Sequence, residues 1–112
     1  MILNKEKFYE LGMKYNLKVK SYRKITREEY YWLSFPSPHD EDYFFIKYED
    51  EIVSYSSYFE YNPYAHTVLG MLRDEEKFVT VERLEEIIQQ SIKLYKEALV
   101  RIELEKMSDD FT

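Results

Sequence analysis

The stretch DYFFIKYEDEIVSYSSYFEYNPY, from Asp42 to Tyr64, holds six tyrosines, three phenylalanines and no glycine. Its runs Tyr43–Tyr48 and Ile52–Tyr61 are rich in aromatic and β-branched residues and flank the acidic Glu49-Asp50-Glu51, the pattern of a β-hairpin. A two-residue turn at Asp50-Glu51 would pair Tyr48 with Val53, Ile46 with Tyr55 and Phe44 with Ser57. Side chains alternate between faces along a strand. One face would therefore carry Phe44, Ile46, Tyr48, Val53, Tyr55 and Phe59, a natural core. The other would carry Tyr43, Phe45, Lys47, Ser54, Ser56, Tyr58 and Glu60, rings set among serines and charges. Asp-Glu is not a favoured hairpin dipeptide, which leaves a longer loop open, and a one-residue slip would interchange the two faces.

Upstream, Asn4 is placed to cap a helix over Lys5–Tyr15, with Leu3 and Phe8 at the spacing of a hydrophobic staple. Phe8, Leu11 and Tyr15 share a face, and Asn16 suits the left-handed residue that ends a helix. From Leu17 to Ile25 the period drops to two. Leu17, Val19 and Ile25 lie on one side, with Lys18, Lys20, Tyr22 and Lys24 on the other, the pattern of a strand. Thr26 and Glu29 fit a capping box, which predicts a short helix over YYWLSF closed by Pro36 and Pro38. PSPHDED reads as an acidic loop.

Downstream, Thr67–Arg73 suits a third antiparallel strand, with Gly70 as a weak point. Val79 and Leu84 bracket Thr80 as a staple around an N-cap. Leu84, Ile87, Ile88, Ile92, Tyr95, Leu99 and Ile102 then recur at helical spacing to about Met107. At 1.5 Å per residue that helix spans roughly 40 Å, enough for one end to project. Apolar Leu94, Val100 and Leu104 lie off its main stripe, where the N-terminal helix or a second copy could cover them. The expected fold is α+β: a small antiparallel sheet of two to four strands against a long C-terminal helix, with a short N-terminal helix. The whole of residues 1–112 forms one domain with a frayed tail at 108–112.

The 112-residue chain has no cysteine, which excludes thiol catalysis, cysteine zinc sites and disulfides together. Its only glycines, Gly12 and Gly70, are isolated, against the glycine-rich loops that cradle phosphates. His39 and His66 adjoin no nucleophile motif, and HDED at residues 39–42 matches no EF-hand spacing. The hairpin is superficially similar to the central hairpin of GNAT-family acetyltransferases. DEEKFVTVE, after the next strand, is acidic where coenzyme A would need backbone amides and positive potential, which rejects that resemblance. The expectation is a non-enzymatic protein without cofactor or metal. With no apolar run of about 18 residues, it is expected in the cytoplasm.

Net charge is −6, unevenly spread: residues 1–35 hold eight Lys/Arg against four Asp/Glu, residues 36–112 eight against eighteen. Rings among carboxylates suit a protein partner with a basic surface, the manner of small phage or mobile-element inhibitors that occupy a nucleic-acid-binding site. The expected anchors are Trp32, Tyr43, Phe45 and Tyr58, with Asp40, Asp42, Asp50 and Glu51 as charge partners. One alternative is direct RNA or single-stranded DNA binding along Lys14, Lys18, Lys20, Tyr22, Lys24 and Arg27. Another is a homodimer through the long helix.

Overall fold

A computed structural model of the chain describes residues 1–23, 29–35, 44–62 and 67–110. Helix α1 (Lys5–Lys14) is followed by five strands, β1 (Lys18–Arg23), β2 (Glu29–Ser34), β3 (Phe44–Glu49), β4 (Ile52–Asn62) and β5 (Thr67–Lys77), and by helix α2 (Val81–Asp110). The strands form one antiparallel sheet in the order β1-β2-β3-β4-β5. The expected α+β class holds, with five strands in place of two to four.

The extra strand is β2. The segment expected as a short capped helix from Glu29 onward pairs along its whole length with β1, from Arg23↔Glu29 to Lys18↔Ser34. Six residues are too few for helical periodicity to decide. EYYWLS also reads at period two, with Tyr31 and Leu33 buried and Tyr30 and Trp32 on the opposite face. Paired on both sides, its large rings gain cross-strand contacts that a single helical turn could not offer.

From the turn to Ile46 the hairpin register is the expected one, with Tyr48↔Val53 and Ile46↔Tyr55, but the expected Phe44–Ser57 pair is not among the β3–β4 partners. Asp50 and Glu51 both take left-handed conformations (φ 51° and 62°), as a two-residue primed turn demands. Beyond Ile46 the alternation breaks. Leu33 pairs with Ile46 but Ser34 pairs with Phe44, so Phe45 is an extra residue in a β-bulge. The bulge interchanges two expected positions. Phe44 joins the outer face, where its ring stacks on Trp32, while Phe45 turns inward and is 1% exposed. Ser56, expected outside, is buried too, because β4 and β5 shift register on either side of it.

Both helices cover the same face of the sheet. Asn4 caps α1 by accepting the Lys7 amide at 2.9 Å, and Asn16 (φ 56°) ends the helical turn. Phe8 packs on Tyr31 and Tyr48, and Gly12 lets α1 sit directly on Val19 and Leu33. Thr80 caps α2 by accepting the Arg83 amide at 3.1 Å, with Val79 and Leu84 buried as the staple. Leu84, Ile87, Ile88 and Ala98 then enter the core. A three-ring stack ties helix to sheet: Phe35 lies 4.1 Å from Phe45 on one side and 3.9 Å from Tyr95 on the other, with Phe59 edge-on to Phe35 and Tyr95. Past Ala98, α2 leaves Leu99, Val100 and Leu104 exposed, and the molecule measures 53 × 30 × 23 Å. Leu94 instead packs against the core. No helix among the described residues is long and apolar enough to cross a membrane.

Candidate functional site: an aromatic diagonal on the helix-free face

Strand register assembles the outer face row by row. Lys20, Trp32, Lys47, Ser54 and Glu75 are successive cross-strand partners from β1 to β5. Tyr22 pairs with Tyr30 in the row on one side of Trp32, and Lys18, Ser34 and Phe44 form the row on the other. Rings in neighbouring rows and strands meet diagonally, within reach of large side chains. Tyr22 lies 5.7 Å from Trp32 at an interplanar angle of 27°, and Trp32 lies 5.1 Å from Phe44 at 24°. Tyr30 fills the angle between Tyr22 and Trp32, 5.4 Å from each. Four rings from three strands thus form one ridge running obliquely from the β1 edge.

Charges frame this ridge. Lys20 and Lys47 flank Trp32 across the strands. The Lys47 ammonium sits 5.0 Å above the Tyr30 ring, a cation–π distance, and pairs with Glu49 at 2.9 Å. The Trp32 indole N–H is buried with no hydrogen-bond partner among the described residues, an arrangement that costs about 1–3 kcal/mol in a folded protein. Tyr22, on the edge strand, is 54% exposed.

The expected anchors are redistributed. Trp32 stands at the centre of the ridge, on a strand instead of the expected helix. Tyr58 is exposed on β4, and Asp50 and Glu51 are exposed at the β3–β4 turn. Phe45 is no surface anchor: the bulge places it in the core against Phe35. Asp40, Asp42 and Tyr43 lie outside the described residues. Of the basic set, Lys18, Lys20 and Tyr22 share the outer face of β1, whereas Lys14 lies on α1 and pairs with Glu85 of α2 at 2.8 Å. That pairing raises the Lys14 pKa through the hydrogen bond and charge of Glu85. Lys24 and Arg27 lie outside the described residues. The sequence reading missed Tyr30 and Phe44. The alternation in EYYWLS carried a signal for the first, and nothing local marked the bulge that exposes the second.

Opposite this face, Glu76 on β5 holds the most perturbed carboxylate among the described residues. Arg83 donates to it from Nε at 3.0 Å and Nη2 at 2.7 Å, and the Tyr55 hydroxyl donates at 2.7 Å. These bonds, Arg83's first, hold its pKa at about 2. Arg83 from the helix and Tyr55 from a neighbouring strand engage both oxygens of this carboxylate, which clamps α2 to the sheet. Between α1 and α2 lies a groove of about 600 Å³ lined by Tyr15, Leu17, Phe35, Ile92, Tyr95 and Leu99 among others. No cluster of three or more metal-ligating side chains occurs among the described residues.

In comparisons with known proteins, no family model matches the chain, and neither a curated protein nor a solved structure matches it.

Proposed function

We propose that the protein is a non-enzymatic binding module that docks on another protein through the helix-free face of its sheet. The observation supporting this reading is the ridge of Tyr22, Tyr30, Trp32 and Phe44. Tyrosine and tryptophan give large, rigid contact area with a polar edge, which is why they dominate interface hot spots. The ridge rings face one another at 5.1–5.7 Å, so they present edges and tyrosine hydroxyls more than open faces. A ridge of edges suits insertion into a protein groove, whereas a nucleobase stacks on an uncovered ring face. The net charge of −6 and the exposed Asp50-Glu51 turn favour a partner with a basic surface. Inhibition of a nucleic-acid-binding protein, in a cytoplasmic setting, is the specific form of this proposal.

One observation favours a second reading. Lys20 and Lys47 flank Trp32, and Tyr22 is exposed at the sheet edge, so single-stranded RNA or DNA could lay phosphates on the lysines and a base on Tyr22. The experiment is affinity capture from cell lysate, with and without nuclease, comparing wild type with the double variant Tyr22→Ala/Trp32→Ala. A protein retained after nuclease treatment and lost from the variant is the expected result. Nucleic acid recovered without that protein would refute it in favour of the second reading. Bait alone would refute both and leave self-assembly through Leu99, Val100 and Leu104 on α2.

A further inference from the structure

We infer that a second docking element lies at the end of the molecule where residues 1–3, the β3–β4 turn and the β5–α2 junction meet: a Phe78 knob that enters an apolar, basic-rimmed pocket on a protein partner. This goes beyond the aromatic ridge and involves none of its residues.

The backbone here is closely tied. The Phe78 amide donates to the Glu51 carbonyl at 2.9 Å, the Leu3 amide to the Val79 carbonyl at 3.0 Å and the Val81 amide to the Met1 carbonyl at 2.9 Å. Ile2 bridges Thr80, and the Tyr48 hydroxyl donates to the Leu3 carbonyl at 3.2 Å. Ile2, Glu51 and Phe78 border one narrow crevice over the buried Val53 and Val79. The side chains above this frame face water, with Phe78 64% exposed and Ile2 67% exposed.

Phe78 is the unexpected residue. Its φ of 54° lies in the left-handed region, where glycine or asparagine is comfortable and a bulky side chain is strained. Its amide is already committed to Glu51, so the conformation cannot relax without breaking the junction. The fold therefore carries an aromatic residue where backbone geometry disfavours one and where the ring contributes little to the core. Strain of this kind, imposed from both sides, gathers at sites of recognition.

Charge selects the kind of partner. Asp50 and Glu51 are exposed at the turn bonded to Phe78, whereas Glu82, in the first turn of α2, is paired with the Met1 ammonium at 3.7 Å, so the turn carboxylates carry the charge beside the knob. Of the neighbouring cations, the Met1 ammonium is engaged by Glu82, and Lys77 belongs to the outer face through its pairing with Ile52. An apolar knob edged by carboxylates fits a hydrophobic pocket bordered by lysine or arginine.

Two measurements test this. Phe78→Gly removes the ring and takes φ 54° without penalty, so its Tm should equal that of wild type or exceed it by up to about 4 °C. A fall of more than about 4 °C would show that the ring holds the junction together and would overturn the inference. In the second, benzoylphenylalanine replaces Phe78 in the full chain, and photo-cross-linking in native lysate is followed by mapping of the adduct. The expected adduct is a partner peptide combining apolar side chains with Lys or Arg, reduced at least tenfold by the double substitution Asp50→Lys/Glu51→Lys. No adduct, an adduct with another copy of this chain, or one indifferent to charge reversal would overturn it. Because the Asp50-Glu51 turn also serves the ridge reading, the cross-link is repeated in the Tyr22→Ala/Trp32→Ala background. An adduct that persists there belongs to the Phe78 element; one that is lost belongs to the ridge and would overturn the inference.

Discussion

Phe44 and Phe45 are adjacent, chemically identical and placed by one β-bulge in opposite environments, so their separate truncation tests the architecture of the functional face. Phe45 is 1% exposed, stacked at 4.1 Å on Phe35, and through it linked to Tyr95 of α2. Phe45→Ala empties a buried ring site and should cost about 3–5 kcal/mol. Phe44 is half-buried and stacks on Trp32 at 5.1 Å, over the sheet and away from the helices. Phe44→Ala forfeits partial burial and one ring pair, about 1 kcal/mol. At about 4 °C per kcal/mol for a domain of this size, Tm should fall by about 12–20 °C for Phe45→Ala and about 4 °C for Phe44→Ala. Thermal melts followed by circular dichroism give both Tm shifts, and urea unfolding with matched slopes gives both free energies. Binding should invert the order: Phe44→Ala, still folded, should weaken capture of the partner. Uninterrupted alternation predicts the reverse stability ranking, and observing it would remove both the bulge and Phe44's place in the ridge.

Other outcomes follow from the same geometry. A methyl at Gly12 would collide with Val19 Cγ2 and lie 2.7 Å from Leu33 Cδ2. Gly12→Ala should therefore destabilise by about 1 kcal/mol, since overpacking of about 1–3 kcal/mol outweighs the roughly 1 kcal/mol gain in helix propensity; a raised Tm would show that α1 stands further from the sheet. Glu76 has its folded pKa lowered from 4.5 to about 2. Its ionised form therefore stabilises the fold above about pH 4.5, and that contribution is lost as pH falls through the window down to about 2. Discounted for partial exposure, it amounts to about 1 kcal/mol, so Glu76→Gln should lose that much at pH 7 and match wild type near pH 2; a constant difference across the range would show that the carboxylate's charge is not what holds α2.

Much of the architecture could be read locally. Asn4, Thr80 and the Val79–Leu84 staple mark helix starts through neighbours only a few residues away, and both caps form as their side chains require. Turn length fixes a hairpin's pairing, so Tyr48↔Val53 and Ile46↔Tyr55 also followed from the chain itself. So did the sorting of Val19 from Lys18, Lys20 and Tyr22, because period two needs no knowledge of what lies opposite.

Tertiary structure decided the rest, and chiefly the functional face. EYYWLS can satisfy its backbone as a helical turn or as a strand; pairing with β1 and β3 settles it, and both partners lie outside the segment. The bulge lets Phe45 fill a gap between Phe35 and Phe59 of β4, with Tyr95, from the far end of the chain, stacked on the other side of Phe35. Filling that gap with a large ring outweighs regular alternation and shifts Phe44 onto Trp32. The number of rings, the net charge and the want of a phosphate-cradling loop are properties of the sequence. Which rings form a core and which form a ridge is a property of the packed sheet, because alternation assigns faces only until long-range packing inserts a residue.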